Sequence, residues 1–283
     1  MEIDRAAEAS AGAAERKRLR LRYAGTCIRC GAPLAIGAEA LYDRRLKTVH
    51  CVTCPADHVG EPAGPVDVGV AGASARREYE RRVAGREARI KDRFGRRLGG
   101  VILALSDQPQ STRAWDRGSL GEQELAYALT ELDDVQVLND RRVPGTRGNI
   151  DHIVIAPAGV FVVDAKRYAG TIRIRDVGGF FKRDERLYVG RRDCSHLADN
   201  MAWQIEAVER ALRSVDAEPT PPITPVLCFV RGEWPLISPP DSYREVRLEG
   251  TRSIRKLLRS AQVLDSAALK RLTRVLAAAF PAK

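Results

Sequence analysis

Two aspartates and one lysine in the middle of the chain have the residue types and the spacing that metal-dependent hydrolysis requires. Asp151 stands near the start of the stretch NIDHIVIAPAGVFVVDAKRYAG, and Asp164 and Lys166 stand near its end. Apolar runs interrupted by Pro and Gly are typical of two strands joined by a tight loop. The stretch therefore predicts a β-hairpin that positions the three side chains.

The register of this hairpin follows from the position of its loop. If the loop is centred on residues 157–158, Ile155 faces Val160, and counting outwards in steps of two places Asp151 directly opposite Asp164. Side chains that face each other in this way have Cβ atoms about 5 Å apart. We therefore expect the two carboxylates to be neighbours.

Lys166 lies two residues beyond Asp164 and shares its face of the strand. Two opposed carboxylates repel each other unless a cation compensates them, and an all-oxygen ligand set suits Mg²⁺ or Mn²⁺. A lysine beside such a site can orient an attacking water or stabilise charge that develops on a phosphate. The structural alternative is a set of exposed charges on an edge strand, with Lys166 simply pairing Asp164.

The same residues resemble the signature of a known superfamily. Asp151, followed by Asp164-Ala165-Lys166, is similar to the PD-(D/E)XK nuclease motif. The surrounding sequence segments resemble the nuclease-related domain (NERD) family of that superfamily between Leu120 and Val230. They are GE, IDHIVI, GVFVVDAK and YAG. The resemblance implies a restriction-endonuclease-like α/β fold, with a mixed sheet flanked by helices, and metal-dependent cleavage of phosphodiester bonds. Asp164 stands where the family more often has Glu, and the superfamily pattern allows either.

A helix predicted from Leu120 to Leu132 supplies a further acid. Its apolar stripe includes Leu125, and one step of three residues back along the stripe reaches Glu122. In the resembling family the glutamate of the Gly-Glu pair joins the metal site, so Glu122 is predicted to complete or bridge that site. The alternative is a first-turn glutamate that the helix dipole favours.

A second helix, predicted from Asp199 to Val215, carries Gln204 beside its apolar stripe. The resembling family has a glutamine near this position, after an Asn, as in Asn200 to Gln204. The resemblance suggests that Gln204 positions the substrate or a metal-bound water. A surface glutamine without such a role is the alternative.

Length and charge limit the class of protein. A chain of 283 residues holds one domain of ordinary size and a smaller module. The net charge of +10 favours a polyanionic partner, with nucleic acid first and an anionic membrane surface second. No apolar run approaches the ~18 residues of a membrane span, and the N-terminus lacks the hydrophobic region of a signal peptide. The sequence predicts a cytoplasmic protein that does not enter a membrane and whose cysteines are reduced.

Four cysteines near the N-terminus form two C-x₂-C pairs separated by twenty residues. This spacing is typical of a tetrahedral zinc ribbon, because each pair places two thiolates on one side of the ion. Residues 40–43 and 47–50 between the pairs predict a hairpin. Four unrelated thiols or two disulfides are the alternatives. The predicted Zn²⁺ ligands are Cys27, Cys30, Cys51 and Cys54.

The segment from Arg76 to Arg97 contains ten basic and four acidic residues, which is +6 of the net charge of +10. The pattern predicts a helix apart from Gly85 and Gly95. Phosphate contacts from such a helix would be independent of base sequence and sensitive to salt. A solvated helix with i,i+4 ion pairs is the alternative. The predicted nucleic-acid contacts are Arg81, Arg82, Arg86, Arg89 and Arg93 in this segment, and Arg147 before the hairpin.

These features predict five regions and one principal function. The regions are a basic terminal segment at 1–22 that is helical or disordered, a zinc ribbon at 23–56, a linker at 57–74, a basic helical connector at 75–98, and a nuclease-like domain at 99–283 with its core at 120–230. The predicted function is Mg²⁺-dependent hydrolysis of phosphodiester bonds, with DNA favoured as substrate. The alternatives are a non-catalytic nucleic-acid-binding protein and an adaptor that binds a partner protein through the zinc ribbon.

Overall fold

The computed structural model describes residues 16–27, 32–44, 48–53, 65–179, 182–213 and 220–283. In chain order these residues form a small β module, a long bent helix and a larger α/β unit. Among the described residues, no helix combines the length and the hydrophobicity that a bilayer crossing needs.

The β module contains five short strands. They are β1 (Arg16–Arg20), β2 (Gly25–Thr26), β3 (Pro33–Leu34), β4 (Glu39–Asp43) and β5 (Thr48–Cys51). Strands β1, β4 and β5 form one sheet, and β2 pairs with β3. A small core of Leu21, Cys27, Leu34 and Ala40 lies between them.

The hairpin expected between the cysteine pairs is confirmed, since β4 and β5 are antiparallel with Leu41 opposite His50. The expectation of a helical or disordered start is wrong for Arg16–Arg20, which pairs along β4 as a strand. Arg18 also forms an ion pair with Glu39 at 2.6 Å. These residues form a strand because the free edge of β4 offers them backbone hydrogen-bond partners. The local charge pattern does not predict this pairing. Cys30 and Cys54 lie outside the described residues.

The end of the predicted linker packs along the sheet of the α/β unit. The backbone N–H of Asn139 donates to the carbonyl of Val68 at 2.7 Å. The buried guanidinium of Arg141 donates to the carbonyls of Asp67 at 2.8 Å and Phe280 at 2.6 Å. A fully buried guanidinium is stable only when its donors are satisfied, so Arg141 ties this segment to the C-terminal helix.

Helix α1 (Ala73–Leu105) is the predicted basic connector, and it bends sharply at Gly95. Gly95 has φ 74° and ψ 163°, a backbone conformation open almost only to glycine. The chain reverses there, and Arg86 before the bend donates to the hydroxyl of Ser106 after it at 2.7 Å. Gly85 stays helical, so only one of the two glycines interrupts the helix.

Helix α2 (Gln110–Thr130) begins ten residues before the predicted start at Leu120. Trp115, which precedes the predicted start, therefore lies on the helix. The first three turns of α2 carry almost no apolar stripe, because they pack beside α1 and not on the sheet. The later turns bury Leu125 and Leu129 as predicted.

The large sheet has six strands. They are β6 (Gln136–Arg142), β7 (Asn149–Ala156), β8 (Gly159–Lys166), β12 (Ile223–Phe229), β14 (Ser242–Tyr243) and β15 (Val246–Glu249). Their order across the sheet is β14-β15-β12-β8-β7-β6. Strand β8 runs antiparallel to β7 and parallel to β12, which confirms the predicted mixed sheet.

Helices cover both faces of this sheet, as expected. Val154 and Phe161 pack against α2 and against α5 (Ser253–Leu257) on one face. The other face, with Ile153 and Val162, packs against three helices. They are α3 (Ser195–Asp199), α4 (Ala202–Arg213) and α6 (Ser266–Ala279).

A second, smaller sheet contributes Ile172 and Leu187 to the core that lies between the large sheet and helices α3, α4 and α6. Its strands are β9 (Gly170–Asp176), β10 (Glu185–Val189), β11 (Arg192–Asp193) and β13 (Gly232–Glu233). They lie in the order β11-β10-β9-β13. Of the hairpin element predicted from 180 to 189, residues 180–181 lie outside the described residues.

Candidate active site

The β7–β8 hairpin has the predicted register. Ile155 pairs with Val160 and His152 pairs with Val163, so the same offset sets Asp151 opposite Asp164 at the open end. Asp164 is buried, with 8% of its surface exposed. Two acids on facing strands are thus held side by side by a hairpin whose remaining contacts are almost all apolar.

Lys166, two residues beyond Asp164, donates a hydrogen bond to its Oδ1. Burial by itself lowers the pKa of Lys166, but the carboxylates of Asp164 and Asp151 outweigh burial and raise it. The ammonium group therefore stays charged and offsets part of the negative charge at the end of the hairpin.

Glu122 reaches the same place from α2. The residue before it, Gly121, lies so close to β8 that an added Cβ would be 2.9 Å from the Cβ of Arg167. A glycine there allows the helix to approach the strand end, which explains the Gly-Glu pair in packing terms. Glu122 is 6% exposed, and its Oε2 accepts the backbone N–H of Gly72 at 3.0 Å.

Burial and neighbouring acids raise the pKa values of Glu122 and Asp151. Burial raises the pKa of Glu122 to about 7, and the charge of Asp140 adds to this, while Lys166 opposes it. Burial also raises the pKa of Asp151 well above its usual value, with further contributions from Glu122 and Asp164. Such mutual repulsion in a desolvated site is what a bound cation would relieve.

The fit of a metal ion is partial. Among the described residues, no three His, Cys, Asp or Glu side chains are grouped in a way that could hold an ion. The ammonium of Lys166 also engages one oxygen of Asp164. However, Mg²⁺ in enzymes that act on phosphates is usually bound by one or two carboxylates together with water and phosphate oxygens. The facing pair of Asp151 and Asp164 fits that smaller requirement.

Asp140 is an acid of this site that the sequence analysis missed. The β6–β7 register pairs Asn139 with His152, which places Asp140 opposite Asp151. Asp140 is 1% exposed and has φ 47°. Its carboxylate accepts the backbone N–H of Ser74 at 2.5 Å and the hydroxyl of Ser74 at 2.8 Å. Asp140 thereby caps the first turn of α1 and fixes that helix beside the acids.

His152 points away from these acids and is fully buried. Its Nδ1 lies 2.9 Å from Oδ1 of Asn139, and among the described residues its Nε2 has no hydrogen-bond partner. Burial lowers the pKa of His152 to about 4. The ring is therefore neutral and part of the core.

An open cleft of about 890 Å³ adjoins the acids. Glu122, Asp151 and Lys166 line it together with side chains of α2 and of the loops after β8 and β10. Gln204 is buried and does not line this cleft, and its amide donates to the carbonyl of Asn200 at 3.4 Å. Four of the five predicted catalytic residues are thus close together, and a role for Gln204 stays a prediction.

The predicted nucleic-acid contacts on α1 are largely engaged within the helix. Arg81 and Arg82 both bind Glu78, the latter at 2.6 Å, and Arg86 binds Ser106. The remaining predicted contacts, Arg89, Arg93 and Arg147, are exposed.

Comparison with known proteins agrees with the resemblance seen in the sequence. Residues 117–230 match the family model described as the nuclease-related domain. The matched segment includes α2 from Arg117 onwards, the β7–β8 hairpin and β12. No curated protein and no solved structure matches the chain. The central part of this protein is therefore similar to nuclease-related domains, which supports a nuclease-related function.

Proposed function

We propose that this protein hydrolyses phosphodiester bonds in nucleic acid, with DNA the favoured substrate, at the open end of the β7–β8 hairpin. The observation that carries the proposal is the hairpin register, which sets Asp151 opposite Asp164 with Lys166 beside them. The match of residues 117–230 to the nuclease-related domain supports the same reaction class.

Asp151 and Asp164 would hold Mg²⁺ or Mn²⁺, with Glu122 beside them as a third carboxylate. When bound, the ion would supply Lewis-acid polarisation of the phosphate and would favour ionisation of water. The raised pKa values of Glu122 and Asp151 support this assignment, because they reflect burial first and then neighbouring acids whose charge a bound cation would offset.

Lys166 would orient the attacking water and stabilise the negative charge that builds up on the phosphate oxygens. The water oxygen forms the new bond to phosphorus and loses a proton to solvent, while the bond from phosphorus to the leaving sugar oxygen breaks in line with it and that oxygen takes up a proton from solvent. Asp164 would hold the ammonium in place through the hydrogen bond between them.

A non-catalytic nucleic-acid-binding protein is the second candidate function. It is favoured by one observation, namely that no three potential metal ligands are grouped among the described residues. In this alternative the ion pair of Lys166 with Asp164 has only a structural role, and the basic residues provide the binding.

The N-terminal module would bind a structural Zn²⁺ through Cys27, Cys30, Cys51 and Cys54. The backbone N–H of Cys51 donates to Sγ of Cys27 at 3.2 Å, so one cysteine of the first pair lies beside one cysteine of the second. Backbone donors to sulfur fit a thiolate that carries negative charge. Elemental analysis of the purified protein tests this: we expect one zinc per chain, lost in Cys27→Ser, and a zinc-free wild-type protein would contradict it.

One assay tests the proposed reaction. The full chain is incubated with labelled single-stranded, duplex and branched DNA in the presence of Mg²⁺, Mn²⁺ or EDTA, and both binding and cutting are scored. We expect cutting with Mg²⁺ or Mn²⁺ and none with EDTA. Binding without cutting under every condition would support the non-catalytic alternative, and the absence of both would exclude both functions.

A further inference from the structure

The cleft beside the acids has two walls of different origin. Trp115 and Arg117 extend from α2 on one side. Tyr168 after β8, Arg191 in the turn after β10, and Arg192 at the start of β11 line the other side. The two walls therefore present aromatic and cationic side chains next to the proposed reaction centre.

The two aromatic rings have the environment of stacking platforms. Trp115 is 40% exposed, so part of its ring is accessible from the cleft. The guanidinium of Arg82 lies 5.6 Å from its ring centroid, and that of Arg192 lies 4.7 Å from the ring of Tyr168. Unpaired bases stack on such rings and on guanidinium planes, whereas the bases of a duplex are covered by their own neighbours.

The arginines of the cleft are available for phosphate groups. Arg117, Arg191 and Arg192 are exposed, and within the described part of the chain none of them forms an ion pair. The fourth arginine of the cleft, Arg167, is instead paired with Glu124 at 3.0 Å. These three unpaired charges are distributed over both walls, so they can contact successive phosphates of a strand that passes through the cleft.

The size and the lining of the cleft favour a single strand over a duplex. Its volume of about 890 Å³ is within the range of pockets that enclose a drug-sized molecule, roughly 300–1,000 Å³. A few nucleotides of single strand fit such a space. The bases of a duplex would reach Trp115 only after they left the stack.

We infer that the cleft binds single-stranded nucleic acid, with bases stacked on Trp115 and Tyr168. This inference rests on the proposed function, because the strand would lead its phosphates to the same acids. The inference adds a preference for single-stranded substrates, because phosphodiester hydrolysis by itself does not require a single strand.

Fluorescence anisotropy of the full chain tests the inference. Labelled single-stranded DNA, single-stranded RNA of the same sequence, and the corresponding DNA duplex are titrated in buffer without added divalent cation. Denaturing gels verify that the probes remain intact. We expect tighter binding of the single strands than of the duplex, and the two single strands show whether the sugar matters.

Substitution of the stacking residue links the binding to this cleft. Trp115→Ala is expected to weaken single-strand binding by roughly 5- to 150-fold, and Trp115→Phe should retain most of the affinity. Trp203→Ala is the matched control, because Trp203 has a similar exposure of 38% and does not line the cleft. Thermal unfolding of each variant verifies that the chain is folded.

The outcomes separate this inference from the proposed function. Equal or tighter binding of the duplex, or an unchanged affinity in folded Trp115→Ala, would overturn the inference even if the protein cleaves DNA with Mg²⁺. Preferential single-strand binding that depends on Trp115, without cleavage under any condition, would sustain the inference and overturn the proposed reaction.

Discussion

Two arginine-rich regions of this protein differ in what their charges contact. On α1, Arg81 and Arg82 share Glu78, and Arg76 binds Glu80 at 2.9 Å. In the cleft, Arg191 and Arg192 have no acidic partner among the described residues. The segment with the highest charge density is thus the one whose charge is better compensated.

This difference indicates that arginines without acidic partners, and not the total positive charge of a segment, predict a surface that binds nucleic acid. Exposed i,i+3 and i,i+4 pairs contribute little to stability, but they hold guanidinium groups in a fixed geometry and reduce the local field. An exposed arginine without an acidic partner keeps its full charge available to a phosphate group. We therefore expect the cleft to contribute more per arginine to nucleic-acid binding than α1 does.

The largest expected effect concerns the bend that folds α1 back on itself. Gly95→Ala should destabilise the protein by about 1–3 kcal/mol, because alanine is strained at φ 74° and ψ 163°. Gly85→Ala is the matched control on the same helix, and it should stabilise by about 0.5–1 kcal/mol. An added Cβ meets nothing within 4 Å at either position. Urea unfolding measures both, and equal effects of the two changes would contradict the bend.

Removal of two cleft arginines should give the next largest effect. Each phosphate contact to a single strand contributes about 0.7 to the slope of log K against log salt. The double variant Arg191→Ala/Arg192→Ala should therefore lower this slope by about 1.4 and weaken binding about 25-fold near 0.1 M salt. A salt titration by anisotropy gives both quantities. An unchanged slope would mean that Arg191 and Arg192 do not contact the phosphates of the bound strand.

The equivalent change on α1 should have a smaller effect. Arg76→Ala/Arg81→Ala removes the same formal charge and leaves Arg82 on Trp115 unchanged, but it also frees the carboxylates of Glu80 and Glu78 that these residues bind. We expect a slope change of less than about 0.7, which corresponds to less than one full contact. The same salt titration applies. A loss equal to that of the cleft variant would mean that α1 releases Glu78 and Glu80 on binding, and the comparison would fail.

The smallest effect is expected when Glu78, the acid on α1, is replaced. The hydrogen bonds from Arg81 and then Arg82 lower the pKa of Glu78, so it is ionised at neutral pH. Glu78→Gln removes that charge and should tighten nucleic-acid binding by less than about 5-fold. Competition between wild type and variant for one labelled strand resolves such a difference. Weaker binding by the variant would contradict compensation by Glu78.

Local patterns in the sequence predict the hairpin well. Its register depends only on a tight turn and on the period-2 alternation of a strand, so these two rules suffice to place Asp151 opposite Asp164. Glu122 is predictable for a similar reason, since helical periodicity aligns it with Leu125.

Features that depend on long-range packing escape such local rules. Asp140 joins the acids only because β6 pairs with β7, and it is held by Ser74, far away in the chain. The strand Arg16–Arg20 exists because β4 offers it an edge. The sequence predicts the start of α2 only at Leu120, because the earlier turns, which include Trp115, face α1 and the cleft and have no apolar stripe.

The central claim is that the acids and the lysine at the end of the β7–β8 hairpin catalyse phosphodiester hydrolysis. The most direct measurement is Mg²⁺-dependent cleavage of a labelled oligonucleotide by Asp164→Asn and Lys166→Ala. Asp133→Asn and Lys270→Ala serve as controls, because both residues are exposed. We expect no cleavage by the first two variants, full cleavage by the controls, and intact folds by circular dichroism. Cleavage by Asp164→Asn or Lys166→Ala at the wild-type rate would contradict the claim.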